Sequence, residues 1–326
     1  MMNRRRFAQS LASMTALAFP YASLAGEKKG RIVERRAKPT LTPFGLNHGE
    51  TLRFILLNGK SWEMRLLKTS AQVMDRKGSR ITAYTFDCDV QINGKEHHLR
   101  REVGTQGSFY EPWEIDGARL WFDAASCIFK ERGGFMLEKD WSLGFLCQPS
   151  HHARFAIQEA SRPICPEPIK LWYPNDVGRI DIHDCYNGDD CWMGPYDGSA
   201  AHCGLDINMK AGTSLFAPIS FDDHYLFHST AAGFNNNRWR GVRRWPDGSE
   251  WWLQSHHLIR MLVPERTPLK AGTRYATTAG VMVGSHEHTH FMFRVLDQGG
   301  DYLLDPWILF WEMFRQHRDE RSKTAR

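Results

Sequence analysis

The chain is patterned as short stretches of alternating apolar and polar residues, separated by tight polar turns. Residues 51–57 and 61–67 alternate about Asn58-Gly59, and residues 81–90 and 97–103 about Asn93-Gly94. Both residue types tolerate positive φ, so each pair predicts a β-hairpin. A third hairpin is predicted about Asp247-Gly248, between residues 241–245 and 250–254. Residues 118–122, 135–147 and 288–295 add strands. The aromatic tail, 307–314, fits either a short amphipathic helix or a closing strand. Residues 27–40 are basic and polar and read as a mobile lead-in. Three prolines fall within six residues at Pro163, Pro166 and Pro168, a natural boundary. The expected architecture is therefore mostly β in two domains. Residues 26–168 form an N-terminal β-rich accessory domain, and residues 169–326 form a C-terminal antiparallel β domain.

Composition supports this and adds a leader. The 326 residues are 42% hydrophobic and 24% charged, as in a globular protein with true cores. Residues 1–25 begin with Arg4, Arg5, Arg6 and Phe7 and continue through a mildly apolar run to Ser23-Leu24-Ala25. Small residues at the end of that run suit cleavage before Gly26. Paired arginines followed by Phe resemble a twin-arginine export signal; the alternative is a general secretory signal with an extra Arg. The expected location is periplasmic or extracellular. Removing the leader takes three charges from a net +5, leaving +2. With no basic-aromatic stripe, no nucleic-acid partner is expected. No later stretch is long and apolar enough to span a membrane. Seven cysteines leave at least one unpaired. Cys185 and Cys191 bracket a tight polar loop and are the best local disulfide pair.

Ten of the fifteen histidines lie beyond residue 168, which points to metal chemistry. Three segments stand out: His202-Cys203-Gly204-Leu205-Asp206, Ser255-His256-His257-Leu258, and His286-Glu287-His288-Thr289-His290-Phe291. Residues two apart on a strand share a face, roughly 6.5 Å apart. His288 and His290 would then look into one site. One of them, with His202 and Asp206, completes a His2Asp set. Catalytic zinc takes three protein ligands and leaves one position for water, whose pKa it lowers to roughly 7. Two other readings compete. A lone His-x-His often has no metal role. The segment from His286 to His290 also matches the helical zincin motif His-Glu-x-x-His, which places two ligands on one helix face. Val and Phe on both sides and Gly284 before it favour a strand instead.

The three segments, in this order, resemble the lysostaphin/LytM-type (β-lytic) zinc metallopeptidases, which cleave peptidoglycan peptides. The first motif is His202-x-Gly204-x-Asp206, followed by Ala211-Gly212-Thr213 and Ala217-Pro218. A hairpin then leads into His257-Leu258, and the last motif is His288-x-His290-Phe291. The match runs from about 202 to 295. It implies a lysostaphin/LytM-type fold for the second half, Zn2+ as cofactor, and His202, Asp206 and His290 as ligands. His257 and His288 are implied as the non-ligand histidines that orient or deprotonate water and stabilise the oxyanion. His257 is preferred to His256 because Leu258 follows it directly, and on a regular strand His256 would face the other way. Cys203, directly after a ligand position, and His286 depart from the family pattern. The expected function is an exported zinc endopeptidase acting on stem or crossbridge peptides of peptidoglycan. The alternatives are a zinc peptidase of the same mechanism acting on an exported protein, or a non-catalytic wall-binding protein that keeps the fold.

Overall fold

A computed structural model describes residues 30–75, 82–103, 111–125, 151–174, 204–228, 237–283 and 286–324. The expected leader, the strand at 135–147 and the Cys185/Cys191 pair lie outside these residues. Among the described residues the protein is mostly β, in three sheets with one helix. The first sheet has the order β1-β3-β4-β5-β6, with β1 Ile32–Arg36, β3 Thr51–Ile55, β4 Ser61–Asp75, β5 Thr82–Ile92 and β6 Lys95–Val103. The second has the order β2-β9-β8-β7, with β2 Thr42–Leu46, β7 Trp113–Ile115, β8 Ala118–Ala125 and β9 Ala153–Glu159. The third has nine strands. Its main path is β10 (Leu205–Asn208), β17 (His286–Asp297), β14 (Glu250–Met261), β13 (Asn237–Arg244) and β12 (Asp223–Phe227). Its remaining strands are β11 (Ser214–Phe216), β15 (Arg274–Thr278), β16 (Val281–Val283) and β18 (Gly300–Leu304).

The three turn pairs close hairpins where the sequence predicts them. Asn93 and Gly94 take φ of 47° and 83°, the left-handed pair that matches the twist of two joined strands. The lead-in is a different matter. Residues Ile32–Arg36 form β1 and pair in parallel with β3, Ile32 opposite Thr51. An edge strand buries only one side, and Val33 packing on the core suffices for it. The exit of β1 is pinned by the Lys38–Asp297 ion pair at 2.7 Å and by the Thr40 hydroxyl donating to Asp247 at 2.6 Å.

The tail forms a helix, α1 (Trp307–Thr324). Asp305 caps it by accepting from the Trp307 N–H at 2.8 Å, and Pro306 stands at the start, where a missing N–H costs nothing. Its first two turns are not amphipathic. Every residue from Trp307 to Phe314 is buried, because this end of α1 is packed on all sides. Trp311 meets Trp121 of β8 edge-on at 5.7 Å, and Phe310 meets Phe291 of β17 at 5.4 Å. One apolar cluster thus runs from Leu41, Trp121 and Ile164 through α1 to Phe291, Phe293 and Tyr275. Packing is continuous across the proline cluster. No helix among the described residues is long and apolar enough to cross a membrane.

Between the sheets lies a buried ionic group. Arg101 of β6 donates to the Asp305 carboxylate and the Asp123 carbonyl, and Arg154 of β9 donates to the Asp123 carboxylate. Asp123 also accepts from the Asp305 N–H at 2.9 Å. Removing one partner strands a buried charge, a loss of about 3–5 kcal/mol. Asp305→Ala removes the cap as well, so it is expected to lower unfolding free energy by at least about 3 kcal/mol in urea titrations. The exposed Arg36–Glu34 pair at 3.6 Å is the control, and Arg36→Ala is expected to have no measurable effect. Equal effects would mean that the buried group is not a structural lock.

Candidate active site

β17 is the spine of the site. On one side it pairs with β14 from Ser255↔Phe291 outward, and then with β16 at His286 to His288. On the other side it pairs with β10 and β18. The β10 register sets Asp206 directly opposite His290 and Asn208 opposite His288. His288 and His290 are 3% and 7% exposed. The segment is extended, so the zincin reading fails: histidines two and four apart on a strand do not share a helix face.

The second histidine segment departs from regular strand geometry. β13 pairs Trp239 with Ser255 and Asn237 with Leu258, so His256 and His257 together oppose Arg238 alone. This is a β-bulge, one extra residue in β14. His257 takes φ of 60°, a left-handed conformation that costs an L-residue roughly 1–2 kcal/mol. The bulge breaks the alternation on which the sequence reading of His256 relied. His256 does not face away: its ring centroid lies 4.8 Å from that of His290. The His257 ring lies 4.8 Å from His288 and 6.5 Å from His290. Four imidazoles therefore converge among the described residues: His257, His288 and His290, which the sequence reading placed together with His202, and His256, which it did not.

The bulge is held from below. Ser255, the residue before it, hydrogen-bonds the Tyr275 hydroxyl at 2.9 Å, and Trp172 Nε1 donates to the same hydroxyl at 2.7 Å. Burial pushes the Tyr275 phenol well above its ordinary range, so it stays a neutral hydroxyl. Trp239 stacks on Tyr275 at 4.1 Å, and Trp172 packs edge-on against Phe291 at 4.6 Å. The His257 carbonyl accepts from the Ala279 N–H at 2.7 Å.

Gly204 explains the glycine of the first motif. A Cβ there would stand 2.3 Å from both Cε1 and Nε2 of His290 and 2.4 Å from the Phe291 carbonyl oxygen. The backbone at Gly204 thus runs against the Nε2 edge of His290, an approach that only glycine allows. His202 and Cys203 lie outside the described residues, and Asp206 is described through its backbone. Among the described residues no group of three His, Cys, Asp or Glu side chains closes into a metal site.

Among the aromatic residues of the third sheet, Trp239 and Trp251 are fully buried core. Trp252 and Tyr225 are partly exposed and contact arginines instead: Trp252 lies under Arg240 and Arg294, and Tyr225 under Arg266. Sequence reasoning missed this arginine-aromatic face, because it forms only once the strands are in register.

Two substitutions test the geometry. His257→Gly accepts positive φ without strain, so it is expected to be more stable than His257→Ala by about 1 kcal/mol in urea unfolding. The reverse order would remove the left-handed bulge. Gly204→Ala is expected to destabilise by about 1–3 kcal/mol and to shift the His290 imidazole NMR signals. Unchanged signals would show that the close approach is absent.

No protein-family model matches the sequence, and no curated protein matches it. Solved structures similar to it include the antimicrobial peptidase lysostaphin from Staphylococcus simulans, 21% identical, with 40% of this chain and 50% of that chain covered and a TM-score of 0.31. The chain thus spans about half the length of lysostaphin. The catalytic domain of that peptidase is 20% identical, with 39% and 90% covered and a TM-score of 0.28. A zinc containing peptidase from Vibrio cholerae is 14% identical, with 74% and 84% covered and a TM-score of 0.29. These similarities are distant, and the family reading rests on the motif residues and on where the fold sets them.

Proposed function

We propose that the chain is a zinc metallopeptidase of the lysostaphin/LytM type that hydrolyses peptides of peptidoglycan. The observation that carries this reading is the convergence of His256, His257, His288 and His290 beside the Asp206–His290 strand pair. His202, Asp206 and His290 would hold the metal. The fit is supported by the backbone cradle that Gly204 provides at His290 Nε2, and by a donor set of two imidazoles and one carboxylate, which suits zinc. A zinc ion bound there would supply the Lewis acidity that polarises the scissile carbonyl.

The remaining chemistry belongs to the chain. His257 and His288, with rings 4.8 Å apart, lie close enough to share one small reacting group. One accepts a proton from the attacking water at a ring nitrogen. The other donates a ring N–H hydrogen bond to the developing oxyanion. Burial of His288 excludes competing solvent and strengthens that hydrogen bond. Two further readings keep the same site: a zinc peptidase acting on an exported protein, and a non-catalytic wall-binding protein. The clustered imidazoles favour catalysis over the second, since binding alone does not call for a strained bulge.

The test is metal content together with digestion of purified sacculi, with and without a chelator. About one zinc per chain is expected, with chelator-sensitive release of peptide fragments. Zinc without wall hydrolysis would favour a protein substrate. No zinc would leave the wall-binding reading. His290→Ala and Asp206→Ala are expected to lose zinc and activity together. His288→Ala is expected to keep zinc and lose about a hundredfold or more in kcat, the usual contribution of a positioned acid or base. Full activity in that variant would remove it from the catalytic set.

A further inference from the structure

The sheet face that carries the histidines continues past buried Gln254 and Met292 to a group of arginine and aromatic side chains. Along β14 the positions Trp252, Gln254 and His256 alternate onto one face, and β17 sets Arg294, Met292 and His290 against them; the ladder pairs Trp252 with Arg294 and Gln254 with Met292. β13 sets Arg240 opposite Gln254, and β12 sets Tyr225 opposite Arg240 and Phe227 opposite Arg238. The Arg240 guanidinium lies 4.7 Å from the Trp252 ring centroid and 5.2 Å from that of Phe227, so it is clamped between two aromatic faces. Arg294 lies over the same indole at 4.3 Å.

The two arginines differ in their partners. Arg294 is ion-paired with Asp301 of β18, which accepts from its Nε at 2.6 Å. Arg240 has no carboxylate partner among the described residues, and its Nε is buried with no hydrogen-bond partner among them. That Nε is enclosed by the protein, so the N–H groups left for an incoming acceptor are those of the two terminal nitrogens.

We propose that Arg240, with the exposed Arg238 beside it, is a subsite for a carboxylate of the bound peptide. This rests on the peptidase reading and adds a substrate class to it. Arg240 stands opposite a position two residues from His256 along the strand, roughly 7 Å. An extended peptide whose scissile bond lies at the histidines thus brings a group about two residues away to this guanidinium. Contact with the Phe227 and Trp252 rings restrains the fork in advance, which suits two-pronged recognition of a carboxylate. Burial, the neighbouring Arg294 and then Arg238 hold the Arg240 guanidinium below its ordinary range, although Tyr225 opposes this. A docked anion relieves the repulsion among the three arginines.

The carboxylate could belong to a side chain or to the peptide's C-terminus, and the test separates these. Four short peptides carry either Glu or Gln two residues from the cleaved bond, each with a free or an amidated C-terminus. Binding is measured by calorimetry to the full chain and to its His288→Ala form, so that turnover does not interfere. Carboxylate peptides are expected to bind about tenfold more tightly than their amide counterparts, the scale of a hydrogen bond to a charged group. Preference that follows Glu over Gln assigns the side chain; preference that follows the terminus assigns the C-terminal carboxylate. Arg240→Gln is expected to bring the ratio close to one, and Arg240→Lys, which keeps the charge but not the fork, to an intermediate value. Should Arg240→Gln fail to fold, the native comparison and Arg240→Lys still decide. Equal binding of all four peptides, no binding of any, or a preference that survives in Arg240→Gln would overturn the subsite. Carboxylate preference without hydrolysis of any peptide would retain the subsite and remove the peptidase reading.

Discussion

One extra residue in β14 governs the geometry of the site. On a regular strand consecutive side chains point to opposite faces, so a His-His pair contributes only one imidazole to any cleft. Strand β17 already supplies two through its i, i+2 spacing. Opposing His256 and His257 to a single residue of β13 lets both rings reach that pair, one at His290 and one at His288. The left-handed backbone at His257 is the strain that this arrangement carries. The surroundings hold it in place: Tyr275, Trp172 and Ser255 fix the strand before the bulge, and Ala279 binds the carbonyl within it. Strained backbone of this kind persists only where neighbouring contacts over-determine it.

Much of this was legible in the sequence. The hairpins at Asn58-Gly59, Asn93-Gly94 and Asp247-Gly248 were readable because positive φ is demanded by the turn and permitted by few residues. The strand at His288 and His290 was readable because β-branched and aromatic residues flank the histidines. What escaped depends on register, and register is a property of two strands at once. His256 was assigned to the wrong face because a bulge leaves no mark in the local alternation. The clamp on Arg240 joins residues from β12, β13 and β14 that are unremarkable singly. β1 was missed for another reason: Val33 is the one residue it needs to bury, too little for a periodic signal.

The tail shows a further limit of pattern reading. A helix packed on every side has no polar stripe, so the apolar run at 307–314 is silent about its period. Its identity comes instead from Asp305 and Pro306 at its start, and Asp305 is also a partner of buried Arg101. A capping residue and a charge lock are thus the same carboxylate, which ties formation of the helix to docking of the first two sheets.

That shared packing bears on how the C-terminal half could be moved between proteins. The proline cluster at 163–168 looks like a seam, but Trp311 rests on Trp121, Arg119 lies over the Trp311 ring, and Met292 and Leu303 belong to the core of the first sheets. A cassette cut at that seam would carry these side chains away without their partners and present a sticky apolar wall to solvent. Grafts and fusions that aim to borrow the site would have to bring the β2-β9-β8-β7 sheet with it.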